Sequence, residues 1–282
     1  MVELKQACYA GCAALQLGQH YLAQHPEKKV LVIASDIARY GLGSPGEPTQ
    51  GCGASAFVLS TKPRIVAFDP EYGVYTQNVH DFWRPNYRNE ALVDGKYSTK
   101  VYLETLTECW KDYVANSKRT FDEHDRFCYH IPFTRMAEKA HERLMRINER
   151  DAGHALLSKS CLRYSEQMGN SYTASLFIGL SSLLENEQED LTGKRIGFFS
   201  YGSGAVGEFF SGRVLPGYRK FLNSERHLEL LTSRTPLEVA QYEEFYKFQL
   251  PEDGSISSLP RFCTGPFRLR SIDNHRRIYE NI

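Results

Sequence analysis

Residues 6–24, QACYAGCAALQLGQHYLAQ, are followed after Pro26 by residues 30–36, VLVIASD. The first stretch is rich in Ala, Leu and Gln, which predicts a mostly buried helix. The second is an apolar, β-branched run of strand length. Residues 41–53, GLGSPGEPTQGCG, then form a Gly/Pro loop. Residues 54–60, ASAFVLS, and 64–68, RIVAF, read as two more strands around a turn at Pro63. Helix, strand, loop and strand in this order predict a layered α/β architecture.

The pattern continues beyond these elements. Residues 70–98 are loop-rich and aromatic, with a turn at Asp94-Gly95. Leu103, Leu106, Trp110, Tyr113 and Val114 fall at helical spacing within 99–118. Phe127 to Ile131 is a short strand stopped by Pro132, and 134–150 is a charged amphipathic helix with Thr134 as its N-cap. Residues 172–186 read as a further helix. RIGFFSY (195–201) and EFFSGRV (208–214) are strands either side of a Gly-rich turn.

Composition removes several classes of function. Of 282 residues, 41% are apolar, enough to build a sizeable core. Lys+Arg and Asp+Glu are 34 each, so the net basic footprint that a nucleic-acid binder needs is absent. No apolar run approaches the roughly 18 residues that span a bilayer. The start, MVELK, lacks the regions of a signal peptide. Seven cysteines (Cys8, Cys12, Cys52, Cys109, Cys128, Cys161, Cys263) are odd in number and scattered, which points to reduced thiols in a cytoplasmic protein. None has zinc-ligand spacing, and no metal is expected.

Gly41-x-Gly43-x-x-Gly46 and Gly202-x-Gly204-x-x-Gly207 match the dinucleotide fingerprint in letters. That motif works only where a helix N-terminus follows to hold the pyrophosphate. Pro48 follows the first and a β-like run the second, so both read as tight turns beside a ligand site.

The candidate chemistry starts at Cys8, placed at the predicted helix start, where backbone N–H groups and the macrodipole favour a thiolate. His130 ends a predicted strand, and Asn170 precedes a helix, where it serves equally well as a cap. A Cys…His…Asn set can hold an acyl thioester and donate hydrogen bonds to a second carbonyl. Arg135, Lys139 and Arg143 recur at i, i+4, i+8, a repulsive stripe that an anionic ligand would relieve. For Arg135 and Lys139 that reading and a solvated face both stand; Arg143 reads as solvated.

Several blocks resemble hydroxymethylglutaryl-CoA synthases, in the family's order. They are KQACYAGCAALQLG, VLVIASDIARYGL, GEPTQGCGASAFVLS, VHDFWRP, LVDGKYS, CYHIPFTRMAEKA, GNSYTASLFIGLSSLLE and GFFSYGSGAVGEFFSG. They run from Lys5 to about Gly212, and the tail to Ile282 is similar more loosely. The resemblance implies an α/β, thiolase-like layered α/β/α/β/α fold. Residues 1–62 would be the remainder of the N-terminal half, and 63–282 the C-terminal half with inserted loops and tail. It implies condensation of acetyl-CoA with acetoacetyl-CoA and water to 3-hydroxy-3-methylglutaryl-CoA and CoA in mevalonate metabolism, with no cofactor. Cys8 matches the acetylated nucleophile and His130 the active-site histidine contacting the acetoacetyl group. Asn170 and Ser203 match acyl-chain hydrogen-bonding positions, and Thr49 and Ser98 line the same site. Arg135 and Lys139 match positions contacting CoA. Asp36 and Asp81 are expected to support the site, and Tyr9 and Tyr172 to wall it. A homodimer is expected by resemblance.

The sequence departs from the family where Arg135 replaces a common Lys and where Cys12 and Cys52 replace small residues. It also lacks the family's segment before the nucleophile block, which supplies the opening strands and the general acid/base glutamate; Glu3 is too near Cys8 to substitute. The first half is therefore expected to be truncated, and the 282-residue chain to be poorly soluble or inactive alone. The competing readings are a polyketide β-branching synthase acting on acyl-carrier-protein substrates, and an inactive fragment. A Cys-His-Asn ketoacyl synthase fits less well, because of the long aromatic loop 72–98.

Overall fold

The computed structural model describes residues 1–88, 90–151, 159–261 and 265–282. It divides into two compact units, Met1–Leu228 and Glu229–Ile282. The first unit opens with α1 (Ala10–Gln24), β1 (Val30–Ala38), β2 (Gly51–Leu59) and β3 (Val66–Thr76). Short β4 (Phe82–Trp83) and β5 (Leu92–Val93) precede α2 (Gly95–Ser117), β6 (Arg126–Tyr129) and α3 (Thr134–Ile147). Then come α4 (Arg163–Met168), α5 (Ser175–Asn186), β7 (Arg195–Gly202) and β8 (Val206–Val214), with α6 (Ser224–Thr232) at the boundary. The second unit holds α7 (Val239–Lys247) and a small antiparallel sheet of β9 (Ser257–Ser258), β10 (Phe267–Asp273) and β11 (Arg276–Asn281).

The first unit is layered. β3, β8, β7 and β6 form one sheet in that order, with β6 and β7 parallel and the other pairs antiparallel. Strand alternation sends successive side chains of β8 to opposite layers. Glu208 meets Tyr9 and Gln16 of the α1 segment, while the Phe209 ring lies 4.9 Å from Trp110 and Tyr113 of α2. Beyond α1 and α5 lies a ribbon of β1 and β2, paired antiparallel from Val30–Leu59 to Ala38–Gly51. The Phe57 ring of the ribbon packs 4.6 Å from Phe177 of α5, tilted by 42°. The described layers are thus ribbon, α1/α5, four-stranded sheet and α2/α3.

The ribbon's other face is open. Its alternation leaves Leu31, Ile33, Ile37 and Val58 from 57% to 71% exposed. An apolar strand face of that kind is a surface for packing rather than for water.

Boundaries differ from the sequence reading for local reasons. α1 begins at Ala10, not residue 6: Ala7 stands at φ 45°, outside the right-handed helical region. Cys8 lies instead in an isolated bridge with Gln6. β3 runs on to Thr76 because a register shift between Phe68 and Tyr72 absorbs Pro70. α2 starts at Gly95 because Asp94 is its N-cap, accepting from the Tyr97 N–H at 3.0 Å. Phe133 is the N-cap of α3, and Thr134 is its first helical residue. A 3-10 turn over Tyr172–Ala174 precedes α5. Both discounted glycine motifs lead into strands, one through the Glu47–Thr49 turn and one directly into β8.

The core contains neutral histidines. His124 is 3% exposed; its Nδ1–H donates to the Thr120 carbonyl at 3.0 Å and its Nε2 faces the Tyr113 hydroxyl at 3.0 Å. Burial pushes its pKa down to about 4. The unfolded chain therefore binds more protons between about pH 6.5 and 4, so stability is full above that window and falls through it. His124 alone accounts for on the order of 3 kcal/mol of this loss. Urea midpoints measured from pH 8 to 4 should fall, and His124→Gln should flatten the fall; parallel curves would refute the assignment.

Candidate active site

Cys8 is buried, between the start of α1 and the turn joining β7 to β8. Gly202 makes this approach possible: a Cβ there would lie 2.8 Å from the Gln6 carbonyl oxygen and from the Tyr9 Cβ. The thiol is not the activated thiolate that its place near a helix start suggested. Burial, and then the charges of Asp36 and Asp81, push it well above the usual cysteine range. Tyr40, Tyr102, Tyr172 and Tyr201 are raised chiefly by burial, with a smaller contribution from Cys8 that places these tyrosines in its neighbourhood.

Asp81 organises one wall and is fully buried. After β3 the chain stays beside the β7–β8 turn, with the Val79 N–H donating to the Gly204 carbonyl at 2.7 Å. Asp81 then accepts from the Tyr201 hydroxyl at 2.6 Å, the Ser98 hydroxyl at 3.1 Å and the Gly204 N–H at 3.0 Å. Ser203 belongs to the same group through a hydrogen bond to Tyr201. Asp36, half-buried on β1, has its pKa raised by burial, against a hydrogen bond from the Ile37 N–H.

Asn170 orders a second group, around Tyr40 and Tyr172. Gly169, at φ 71°, admits the Gln50 carbonyl to 2.2 Å of where a Cβ would stand, so no other residue fits. The Asn170 N–H donates to the Thr49 carbonyl at 2.9 Å. Its Oδ1 accepts from the Tyr172 N–H at 2.9 Å, and its Nδ2 donates to the Tyr40 hydroxyl at 3.1 Å. Ser171, not Asn170, is the N-cap of the following 3-10 turn, and one N–H of the Asn170 amide meets no acceptor among the described residues.

His130 follows β6 and is buried, with its N–H donating to the Phe199 carbonyl at 2.7 Å. Tyr102 joins it to the Cys8 side by donating to the His130 carbonyl at 2.8 Å. Burial pushes the ring down to about 3, so it is neutral at physiological pH.

The remaining expected residues lie on the α1 segment and α3. The Tyr9 hydroxyl donates to Glu208 at 2.7 Å, which orients this neighbour of Cys8 towards β8. Arg135 is an exposed residue of α3 within 3.8 Å of Glu138. Lys139 lines a groove of about 420 Å³ between α2 and α3, together with Lys96, Lys100, Arg143 and Arg146. Arg143 also donates to the Thr107 hydroxyl at 3.0 Å and is half-buried, where a solvated residue was expected. The six described cysteines are free thiols, and Cys263 lies outside the described residues.

Sequence reading missed Tyr40, Tyr102, Tyr201 and Glu208. Only Glu208 left a signal, as an acid inside the otherwise apolar strand VGEFFSG.

A family model described as hydroxymethylglutaryl-coenzyme A synthase C terminal matches residues 66–157 and 154–281. The chain belongs to the hydroxymethylglutaryl-CoA synthase family. It is 43% identical over 255 residues to a hydroxymethylglutaryl-CoA synthase of Enterococcus faecalis, covering 89% of this chain and 66% of the relative. A polyketide biosynthesis 3-hydroxy-3-methylglutaryl-ACP synthase of Bacillus subtilis is 33% identical over 274 residues, 88% of this chain and 63% of the relative. The chain thus spans just under two thirds of the length of these curated relatives. A crystal structure of an HMG-CoA synthase complexed with CoA superposes with a TM-score of 0.94 at 41% identity, over 99% of this chain and 73% of that one. The fold is therefore of the thiolase-like class. No described helix is long and apolar enough to cross a membrane.

Proposed function

We propose that this chain carries the nucleophile and acyl-binding part of a hydroxymethylglutaryl-CoA synthase. The observation that carries this reading is a buried Cys8 whose segment is held against Gly202, beside the turn that Asp81 orders through Tyr201, Ser98 and Gly204, with Asn170 ordering Tyr40 and Tyr172. Cys8 Sγ attacks the acetyl-CoA carbonyl carbon, the C–S bond to CoA breaks, and the thiol proton leaves with CoA. A base takes a methyl proton from acetyl-Cys8, a step the family resemblance assigns to a glutamate that precedes the nucleophile segment. The enolate attacks the acetoacetyl ketone, whose oxygen becomes an alkoxide held by hydrogen-bond donors. Neutral His130 suits that donor role, and water finally releases the product by hydrolysing the Cys8 thioester. Asp36, Thr49, Ser98, Ser203 and Tyr172 shape the acyl site in this reading; Arg135 and Lys139 meet the CoA phosphates, and Tyr9 steadies Cys8. We further place residues 1–62 in the N-terminal half of the fold and 63–282 in the C-terminal half, in a cytoplasmic homodimer that requires no cofactor.

The alternative draws on relatives whose names refer to carrier proteins, including a curacin-pathway HMG synthase in complex with acetyl donor-ACP at TM-score 0.89 and 29% identity. One experiment separates the two. The chain is incubated with acetyl and acetoacetyl groups supplied on CoA or on acyl-carrier protein, and products are read by mass spectrometry. A chain acetylated on Cys8 by acetyl-CoA is the expected result, condensation following only where the preceding glutamate is supplied. Acetylation from the carrier-bound donor alone would move the assignment to β-branching, and no Cys8 adduct from either donor would overturn the synthase reading for this chain.

A further inference from the structure

The first residue of α5, Ser175, is fully buried and bonds both His130 and its neighbour Ile131. Its Oγ lies 2.6 Å from His130 Nδ1 and accepts the Ile131 N–H at 3.1 Å. The hydroxyl carries a single proton, and the histidine ring nitrogen is the one acceptor it meets among the described residues. If Nδ1 carried the ring proton, it and the Ile131 N–H would both point at Oγ, and the hydroxyl proton would have no partner in a dry core. That arrangement leaves a buried donor unsatisfied, which costs free energy. With the hydroxyl donating to Nδ1, the Ser175 proton, the Ile131 N–H and Nδ1 are all paired, and the ring proton sits on Nε2, which meets no acceptor among the described residues.

We propose that Ser175 is a positioning residue that fixes His130 as its Nε2–H tautomer, making the ring a hydrogen-bond donor at Nε2. Burial keeps the ring neutral, so it delivers an N–H without a charge. In the synthase reading, on which the catalytic meaning rests, that N–H is the donor for the acetoacetyl oxygen. The tautomer itself does not depend on that reading. Ser175 sits at the point where α5 crosses from the ribbon to β6, so one hydroxyl ties the helix start to the end of the strand that carries His130.

The test is a two-bond ¹H–¹⁵N correlation spectrum of the full 282-residue chain labelled at histidine nitrogens, with His130→Gln assigning the signal by its loss. His130 should show an unprotonated Nδ1 and a protonated Nε2, unchanged from pH 8 to 6. Ser175→Ala should move the Nδ1 shift toward the mixed-tautomer average, and Ser175→Thr, which keeps the hydroxyl, should restore it. A protonated Nδ1 in the unaltered chain overturns the proposal whatever the variants do, and so does an unmoved spectrum in a folded Ser175→Ala. Where condensation is measurable, Ser175→Ala should lower kcat at least about tenfold with a smaller change in the acetyl-CoA KM. Failure of Cys8 acetylation with every donor counts against the synthase reading alone, because the spectrum still decides the tautomer.

Discussion

Cys8→Ala leaves no acetyl adduct on the nucleophile segment after incubation with acetyl-CoA, a loss of at least about 10³-fold in acetylation there. Removing the sulfur removes the covalent intermediate itself, so no neighbouring donor can compensate. The readout must be site-resolved, because Cys52 is an exposed thiol open to slow background acetylation, whereas Cys12, Cys109, Cys128 and Cys161 are buried. Peptide mapping of the acetylated chain should put the acetyl group on Cys8 in the unaltered protein. An adduct of equal yield in Cys8→Ala, on Cys52 or elsewhere, would show that Cys8 is not the acceptor. The raised pKa of Cys8 adds a rate signature. With little thiolate present, acetylation should quicken as pH rises instead of saturating near neutrality.

Asp81→Ala should lower unfolding stability by roughly 3 kcal/mol, read as a fall in the urea midpoint. Two effects oppose each other. Deleting a buried carboxylate relieves its desolvation, but it strands the Tyr201 hydroxyl, the Ser98 hydroxyl and the Gly204 N–H. Each stranded donor costs about 1–3 kcal/mol when kept from water, so three outweigh the relief unless water fills the space. Asp81→Asn should cost less, since it keeps one carbonyl acceptor. Equal midpoints for the alanine variant and the unaltered chain would show that the group is not held by Asp81. The same variant removes a negative charge that acts on Cys8, so its thiol should titrate lower.

Much of the fold was legible because the main signals are local. VLVIASD, RIGFFSY and the helix of TRMAEKA announce their structure by hydrophobic period, and the observed elements overlap each of them. Ends were less legible where a single residue's tertiary setting decides them. Ala7 at φ 45° halts α1 short of Cys8, and the bulge at Pro70 lets β3 continue where a loop was expected. Of the candidate site, Cys8, His130 and Asn170 stood out as residue types in order, and family resemblance supplied the remaining positions. Tyr102 and Ser175 did not stand out, since a tyrosine in a helix or a serine at a helix start carries no distinguishing pattern.

The sequence by itself determined the layered α/β class, the order of its elements and the family, because each rests on periodicity or contiguous blocks. Only the tertiary structure decided the protonation of the site. Helix-start logic predicted an activated thiolate at Cys8, yet burial and two carboxylates distant in sequence, Asp36 and Asp81, raise the thiol instead. Ser175 likewise reaches His130 across 45 positions of chain. Charge and tautomer depend on which groups meet in a water-poor interior, and that meeting is set by packing between layers rather than by any local run of residues.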